Sequence, residues 1–336
     1  MPHRCPRPHP PEQQSVSSMG RAKEVSAPRL GGFGFVAAGA ALWGTDALFR
    51  RGLALELPAP TLVFLEHVIL VLVTLPVLWR NRHSFRSLDG SDWTALVLVG
   101  AGASALATSL FTAAFRYGDP TTPLLLQKVQ PLVVVIAARL LIGERLLPRF
   151  ASFFGAGLVG AYLVAFPDPS EASASRLAPV LLALGAATLW GLGTVLGRRL
   201  TTRLSFGTLT AARFAIGLPA AAVLVWLLPG PSAAGFTRSD LWAVFLLAMV
   251  PGLLALLLYY YGLKGTPASA ATLAELAFPL TAVGLNYLVF GTTLTSSQVL
   301  GAVVLAGTIT AMSLLSRVGD KALGVLTRSL SVVDKV

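Results

Sequence analysis

Charge is what this sequence has least of. Charged side chains make up 12% of its 336 residues, against 54% hydrophobic ones. A soluble domain carries about 25% charge, so the chain cannot cover a surface of ordinary size in water. Lipid removes the problem, because there an apolar surface is the correct one. Cysteine is nearly absent too. Cys5 stands alone in the N-terminal region, which excludes an intrachain disulfide and a cysteine metal site. Of four histidines only His67 lies in an apolar run, so a multi-histidine metal site within the runs is excluded. HExxH, CxxC and GxSxG are all missing. A Gly-x-Gly-x-x-Ala at 32–37 follows no strand and is discarded as a dinucleotide fingerprint. The sequence therefore offers no enzymatic constellation and calls for no cofactor.

What is present is apolar sequence in long runs. A spanning helix needs about 20 mostly apolar residues. The pattern predicts spans near 33–49, 59–79, 93–115, 120–141, 150–167, 177–197, 205–228, 240–262, 267–290 and 296–315. The expected fold is thus an all-α integral membrane protein with ten transmembrane helices. Residues 1–32, rich in Pro, Ser and Arg, read as a disordered basic tail, within which Met19 is an alternative start. Residues 168–176 read as an external linker and 316–336 as a C-terminal tail. The net charge is +11, but the basic residues form short clusters between the runs rather than a patch interleaved with aromatics. Nucleic acid is excluded as a partner on that ground, and the bilayer is the expected one. With the N-terminus placed inside, 19 of the 26 basic residues fall in inside segments, 5 in outside segments (Arg50 and Arg51 among them), and Lys128 and Arg213 within spans. This bias predicts a multi-pass protein of the cytoplasmic membrane with both termini cytoplasmic.

The chain also repeats itself. GAALWG at 39–44 returns as GAATLWG at 185–191, and one offset relates Pro131 to Pro279, Gly143 to Gly291 and Gln127 to Glu275. Five spans per half is an odd number, so residues 33–167 and 177–315 are expected as inverted five-helix repeats, an arrangement typical of secondary transporters. The doubled GAALWG helices and the PLVVVIAARLLIGERL stretch resemble the EamA-like branch of the drug/metabolite transporter superfamily. That resemblance covers residues 33 to about 315. It implies a ten-helix carrier of small metabolites, often exporting them, that works by alternating access. The second repeat departs from it, with Gly291-Thr292 where the first has Gly143-Glu144. The resemblance also implies an arginine in the seventh helix, matched by Arg213, whereas the second helix has Glu66-His67 at that place.

Ionisable groups inside spans are costly, so each is a site candidate. Lys128 is either a fixed cation in a central cavity or a side chain that snorkels to the headgroups. Gln127 and Gln130 share a face with Pro131, and Pro131 and Pro279 break their helices at matched positions. Glu275 is either a proton carrier or a structural acid. Arg213 either binds a substrate carboxylate or neutralises Glu275. Asp46 and Arg50, four apart, suggest an intrahelical pair rather than a substrate contact. Glu66 and His67 point to different sides, and a structural role suits His67 better. Trp43 and Trp190 recur at matched depth, lining a cavity or packing. These residues define the expected substrate site of a secondary transporter for an amino acid, amine or similar metabolite. A multidrug efflux carrier and a passive channel of the same fold are the alternatives, and the protein is expected as a monomer or homodimer.

Overall fold

In lipid every backbone polar group must be satisfied within its own segment, which leaves helices as the economical answer to long apolar runs. The computed structural model describes residues 30–117, 121–142, 150–165, 174–228, 237–263, 274–275, 277–311 and 314, and every regular element among them is helical. Residues 1–29, the C-terminal tail, the GERL stretch and most of the 168–176 linker lie outside the described residues, while residues 30–32, expected in the N-terminal tail, are already helical. Seven helices are long and apolar enough to cross a membrane: α1 (Gly32–Glu56), α2 (Ala59–Arg80), α3 (Gly90–Tyr117), α4 (Thr122–Leu141), α6 (Leu177–Gly197), α7 (Phe206–Leu227) and α8 (Arg238–Gly262). Three shorter apolar helices are also present among the described residues, α5 (Ala151–Val164), α9 (Ala277–Phe290) and α10 (Ser296–Ala311). They occupy the places of the fifth, ninth and tenth expected spans.

Outward-facing side chains confirm the solvent. Leu140, Leu280 and Leu288 are 75–77% exposed, an arrangement that suits lipid rather than water. Trp79 closes α2 and Trp93 opens α3, while Trp226 closes α7 and Trp242 opens α8; all four are exposed. Interfacial tryptophans of this kind mark the two edges of a bilayer. The chain is a multi-pass membrane protein.

The two halves pack as symmetry mates. α1 lies against α8 and α9, and α6 lies against α3 and α4 in the same way. A methyl group built on Gly44 would meet the Phe278 carbonyl and the Thr281 side chain; one built on Gly191 would meet the Gln130 carbonyl and Val133. An offset of 147 carries Gly44 of α1 to Gly191 of α6, and one of 148 carries Gln130 and Val133 of α4 to Phe278 and Thr281 of α9, so each contact maps onto the other. At the centre, α2 and α7 cross antiparallel, with Val63 near Ala221, His67 against Gly217 and Val77 towards Gly207. Two equivalent helices that meet antiparallel are related by a two-fold axis perpendicular to both, and that axis lies in the membrane plane.

Two features interrupt the helical ladder in matched pairs. α3 and α8 each widen into a π-helical stretch, Leu98–Leu106 and Ala248–Leu254. Each stretch ends in a bond five residues long, Ala107 N–H to Gly102 and Ala255 N–H to Val250. Pro251 lacks the N–H that a regular turn would use; Gly100 and Gly102 loosen the other stretch. Matched capping boxes open the same helices, Asp89 with Asp92 and Thr237 with Asp240. Hydrogen bonds from Ser91 and from the backbone hold the Asp89 carboxyl below its usual range. A depressed folded pKa stabilises the helix start at neutral pH and loses that effect as pH falls through the lowered value. Asp89→Ala is therefore expected to lower the melting temperature at neutral pH and to change it little in acid, as measured by thermal unfolding in detergent.

Candidate functional site

The proline breaks in α4 and α9 are built alike. A regular α-helix would give the Gln127 carbonyl to the N–H of residue 131, which proline does not have. The Gln130 N–H takes it instead, closing a 3₁₀ turn over Gln127–Val129. In α9 the Phe278 N–H takes the Glu275 carbonyl at 3.1 Å, one residue before Pro279. The breaks meet across the boundary between halves, with Lys128 Nζ 4.3 Å from the centre of the Phe278 ring, within cation–π range. The Glu275 carboxylate acts on Lys128 through space, and its Oε1 accepts a 2.6 Å hydrogen bond from the Tyr259 hydroxyl.

Aromatic rings flank the breaks in symmetric pairs. Trp43 lies 4.9 Å from Tyr259, and Trp190 lies 5.2 Å from Phe111. Tyr259 and Phe111 are equivalent positions of α8 and α3. The counterpart of Glu275 is Gln127, so the two half-sites share a scaffold and differ in charge. Gln130, on the Pro131 face, donates to Thr194 Oγ1 at 3.3 Å.

Other candidates are already held by protein. Arg50 is buried, and its guanidinium gives Nε and Nη2 to Asp46 at 2.6 and 2.9 Å. Nη1 donates to Glu66 at 2.8 Å and to Thr112 at 2.7 Å, and Nη2 adds a second bond to Glu66 at 3.3 Å. All five donors of the fork are engaged. The expected Asp46–Arg50 pair forms, but it includes Glu66 as well. Arg50 is therefore a buried residue of α1, not a charge of an outside loop, because α1 continues to Glu56 where the sequence pattern stops at 49. His67 turns away from this cluster. Its Nδ1–H donates to the Val63 carbonyl at 2.8 Å, and its Nε2 is 3.0 Å from Ser104 Oγ. Its ring packs on the Gly217 backbone and edge-on to Phe214, at the α2–α7 crossing.

Arg213 donates to the Ala103 carbonyl at 3.0 Å, and the Tyr260 hydroxyl lies near its guanidinium. The carbonyl comes from the π-helical stretch of α3. Nε of Arg213 is buried with no partner among the described residues. Glu275, the suggested neutraliser of Arg213, is instead bonded to Tyr259. Sequence reasoning paired Arg50 with Asp46 but missed its tie to Glu66, and it missed Thr112, Tyr259 and Tyr260 as polar neighbours; the tyrosines sit in a YYYG run that reads as apolar.

Inverted halves, helix breaks that face each other across their boundary, and flanking charged and aromatic side chains together define the transporter class of membrane proteins. The chain belongs to the EamA-like transporter family, whose family model matches twice, at residues 30–166 and 177–314. It is 30% identical over 288 residues to the riboflavin transporter ImpX of Fusobacterium nucleatum, covering 82% of this chain and 95% of that protein. It is 25% identical over 204 residues to a riboflavin transporter of Brucella anthropi, covering 61% of this chain and 69% of that one. A solved crystal structure shares the fold, with a TM-score of 0.60 at 21% identity, covering 86% of this chain and 98% of that one.

Proposed function

We propose that the protein is a secondary transporter that moves one small, ring-bearing metabolite across the cytoplasmic membrane by alternating access. Ten spans with both termini cytoplasmic suit the basic-residue bias, and one chain holds both half-sites, so a monomer suffices. The observation that carries the reading is the pair of facing breaks at Pro131 and Pro279, with Lys128 of one lying on Phe278 of the other. A substrate between them contacts Lys128, Gln127 and Glu275, and its ring lies among Trp43, Tyr259, Trp190 and Phe111. Asp46, Glu66 and His67 stay outside this contact set, because protein groups already hold them. Relatives named for riboflavin make it the first compound to test: a flat polycycle with hydrogen-bonding edges suits aromatic walls and a lysine–glutamate pair. Direction follows the gradients and not the architecture.

The test is counterflow of labelled riboflavin in proteoliposomes. Saturable exchange is expected. Lys128→Ala and Glu275→Gln should each lower it about tenfold to a hundredfold, the equivalent of losing one charge-assisted hydrogen bond of about 1.5–3 kcal/mol. Exchange untouched by both variants would remove these residues from the site, and flux without saturation would favour a channel. Exchange of many unrelated compounds would favour multidrug efflux.

A further inference from the structure

The Asp46–Arg50–Glu66 cluster has a property that neither packing nor substrate contact requires. Two carboxylates close on one guanidinium, so the fully ionised cluster carries one uncompensated negative charge. It does so with side-chain exposures of only 13%, 5% and 6%. A buried excess charge is expensive. One proton cancels it.

Among the described residues no other charge nearby does so. From α7, which packs on α2, Arg213 is bonded to the Ala103 carbonyl of α3. On α1, Arg51 lies over the Phe290 ring of α9, 4.6 Å from its centre. On α2, His67 is turned to Ser104. From α3 the cluster meets Thr112 and the Phe111 ring, while Arg116 further along bonds the Leu57 carbonyl. α8 presents Val244 and Leu247 to this end of α1, and its Asp240 stays at the exposed helix start with Thr237. α9 contributes the apolar Phe278 and Ala282 to the core beside Ala47 and Phe111.

We propose that this cluster is the coupling-proton site of the transporter, and that Glu66 is the group that takes the proton. Glu66 is held less closely than Asp46, at 2.8 and 3.3 Å against 2.6 and 2.9 Å, and it is the more buried of the two acids. Protonation turns the Glu66 carboxylate into a neutral carboxyl, while Arg50 keeps its charge and its pair with Asp46. The result breaks the ionic tie between α1 and α2 and leaves α1 intact. α1 is the helix that packs on α8 and α9 across the boundary between halves, so its release is a route from proton to rocking motion. Asp46, the most exposed member, is the entry for the proton. The second half has no such cluster, because the positions 147 residues after Asp46, Arg50 and Glu66 are Gly193, Gly197 and Arg213.

This proposal rests on the transporter reading, and two readouts keep the two separable. In proteoliposomes, wild-type protein should accumulate riboflavin against its gradient when a pH gradient is imposed. Glu66→Gln should exchange riboflavin as the wild type does yet fail to accumulate it. Accumulation by Glu66→Gln equal to wild type would overturn the proposal. Infrared difference spectra of the wild-type protein between acid and alkaline buffer should show the carbonyl stretch of a protonated carboxyl, absent in Glu66→Gln. Glu66→Asp, which should shift the band, gives the assignment if the glutamine variant fails to reach the membrane. A band that is missing, or that vanishes in Glu275→Gln instead, would overturn the proposal whether or not riboflavin is the substrate. Wild-type protein that shows the Glu66 band but no exchange would sink the riboflavin reading and leave the proton site standing.

Discussion

Arg50→Ala should leave little folded protein in the membrane. Arg50 is 4% exposed, and it is the counter-ion of both Asp46 and Glu66. Removing one partner of a buried ion pair costs about 3–5 kcal/mol, because a charge is left without compensation. Here one substitution strands two acids and the Thr112 hydroxyl together. Total stabilities are about 5–15 kcal/mol, so the loss is a large part of the whole. Yield in monodisperse form after detergent extraction, and the melting temperature of what remains, are the measurements. Arg50→Lys should fall between, since an ammonium cannot present the planar fork that serves both carboxylates. The decisive variant combines Arg50→Met with Asp46→Asn and Glu66→Gln. It removes every charge, and buried ion clusters replaced by neutral groups often retain stability. It should therefore fold better than Arg50→Ala alone. An Arg50→Ala protein that melts with the wild type would mean that the cluster is solvated.

The sequence made most of the architecture readable, because lipid enforces simple rules. Apolar length located the helices, and the echo of GAALWG in GAATLWG located the repeat. In the structure Gly44 and Gly191 indeed meet equivalent points of α9 and α4. The proline offset relates two places where the backbone makes a bond of three-residue reach just before the ring, Gln130 to Gln127 and Phe278 to Glu275. Two things stayed hidden. One was the end of α1, where Arg50 and Arg51 look like loop charges in sequence. Only the neighbouring helix reveals Glu66 as the reason a cation can be buried there. The other was the π-helical widening of α3 and α8. Widening by one residue per turn leaves the apolar pattern nearly unchanged, and only Pro251 hinted at it. Long-range pairings such as Tyr259 with Glu275 and Arg213 with Ala103 depend on which helices touch, which a pattern along the chain does not encode.

The same symmetry sets up a prediction in which two glycines of the repeated motifs should behave differently, because Gly39 stands five residues before Gly44 and Gly185 six before Gly191, which makes Ala186 the equivalent of Gly39. Gly39 and Gly185 open the two repeated motifs, and each faces a helix of the opposite half. A methyl group on Gly39 would lie 2.7 Å from the Ala255 carbonyl oxygen and 2.8 Å from the Tyr259 nitrogen. Both are backbone atoms, so no rotamer relieves the clash and α1 must move off α8. A methyl group on Gly185 would meet only the Leu110 Cδ1 atom, at 3.2 Å, and that side chain can turn. Gly39→Ala should therefore cost about 1–3 kcal/mol as an overpacked interface, and Gly185→Ala no more than about 0.5 kcal/mol, as for an uncrowded site. Gly284, with open space around it, is the control. The functional effect should persist when counterflow is normalised to the amount of folded protein. Tyr259 is the residue pushed, and it carries both the bond to Glu275 and the contact with Trp43. A shift of α8 at this point displaces the acid from the facing break. Counterflow should fall about tenfold in Gly39→Ala while Gly185→Ala stays within twofold of wild type, the former equivalent to about 1.4 kcal/mol of transition-state stabilisation. Equal behaviour of the two alanine variants would show that the close approach of α1 and α8 does not set the position of Tyr259. The link between helix packing and the charged site would then have to run through α9 instead, where Gly44 makes the corresponding contact with the Phe278 carbonyl.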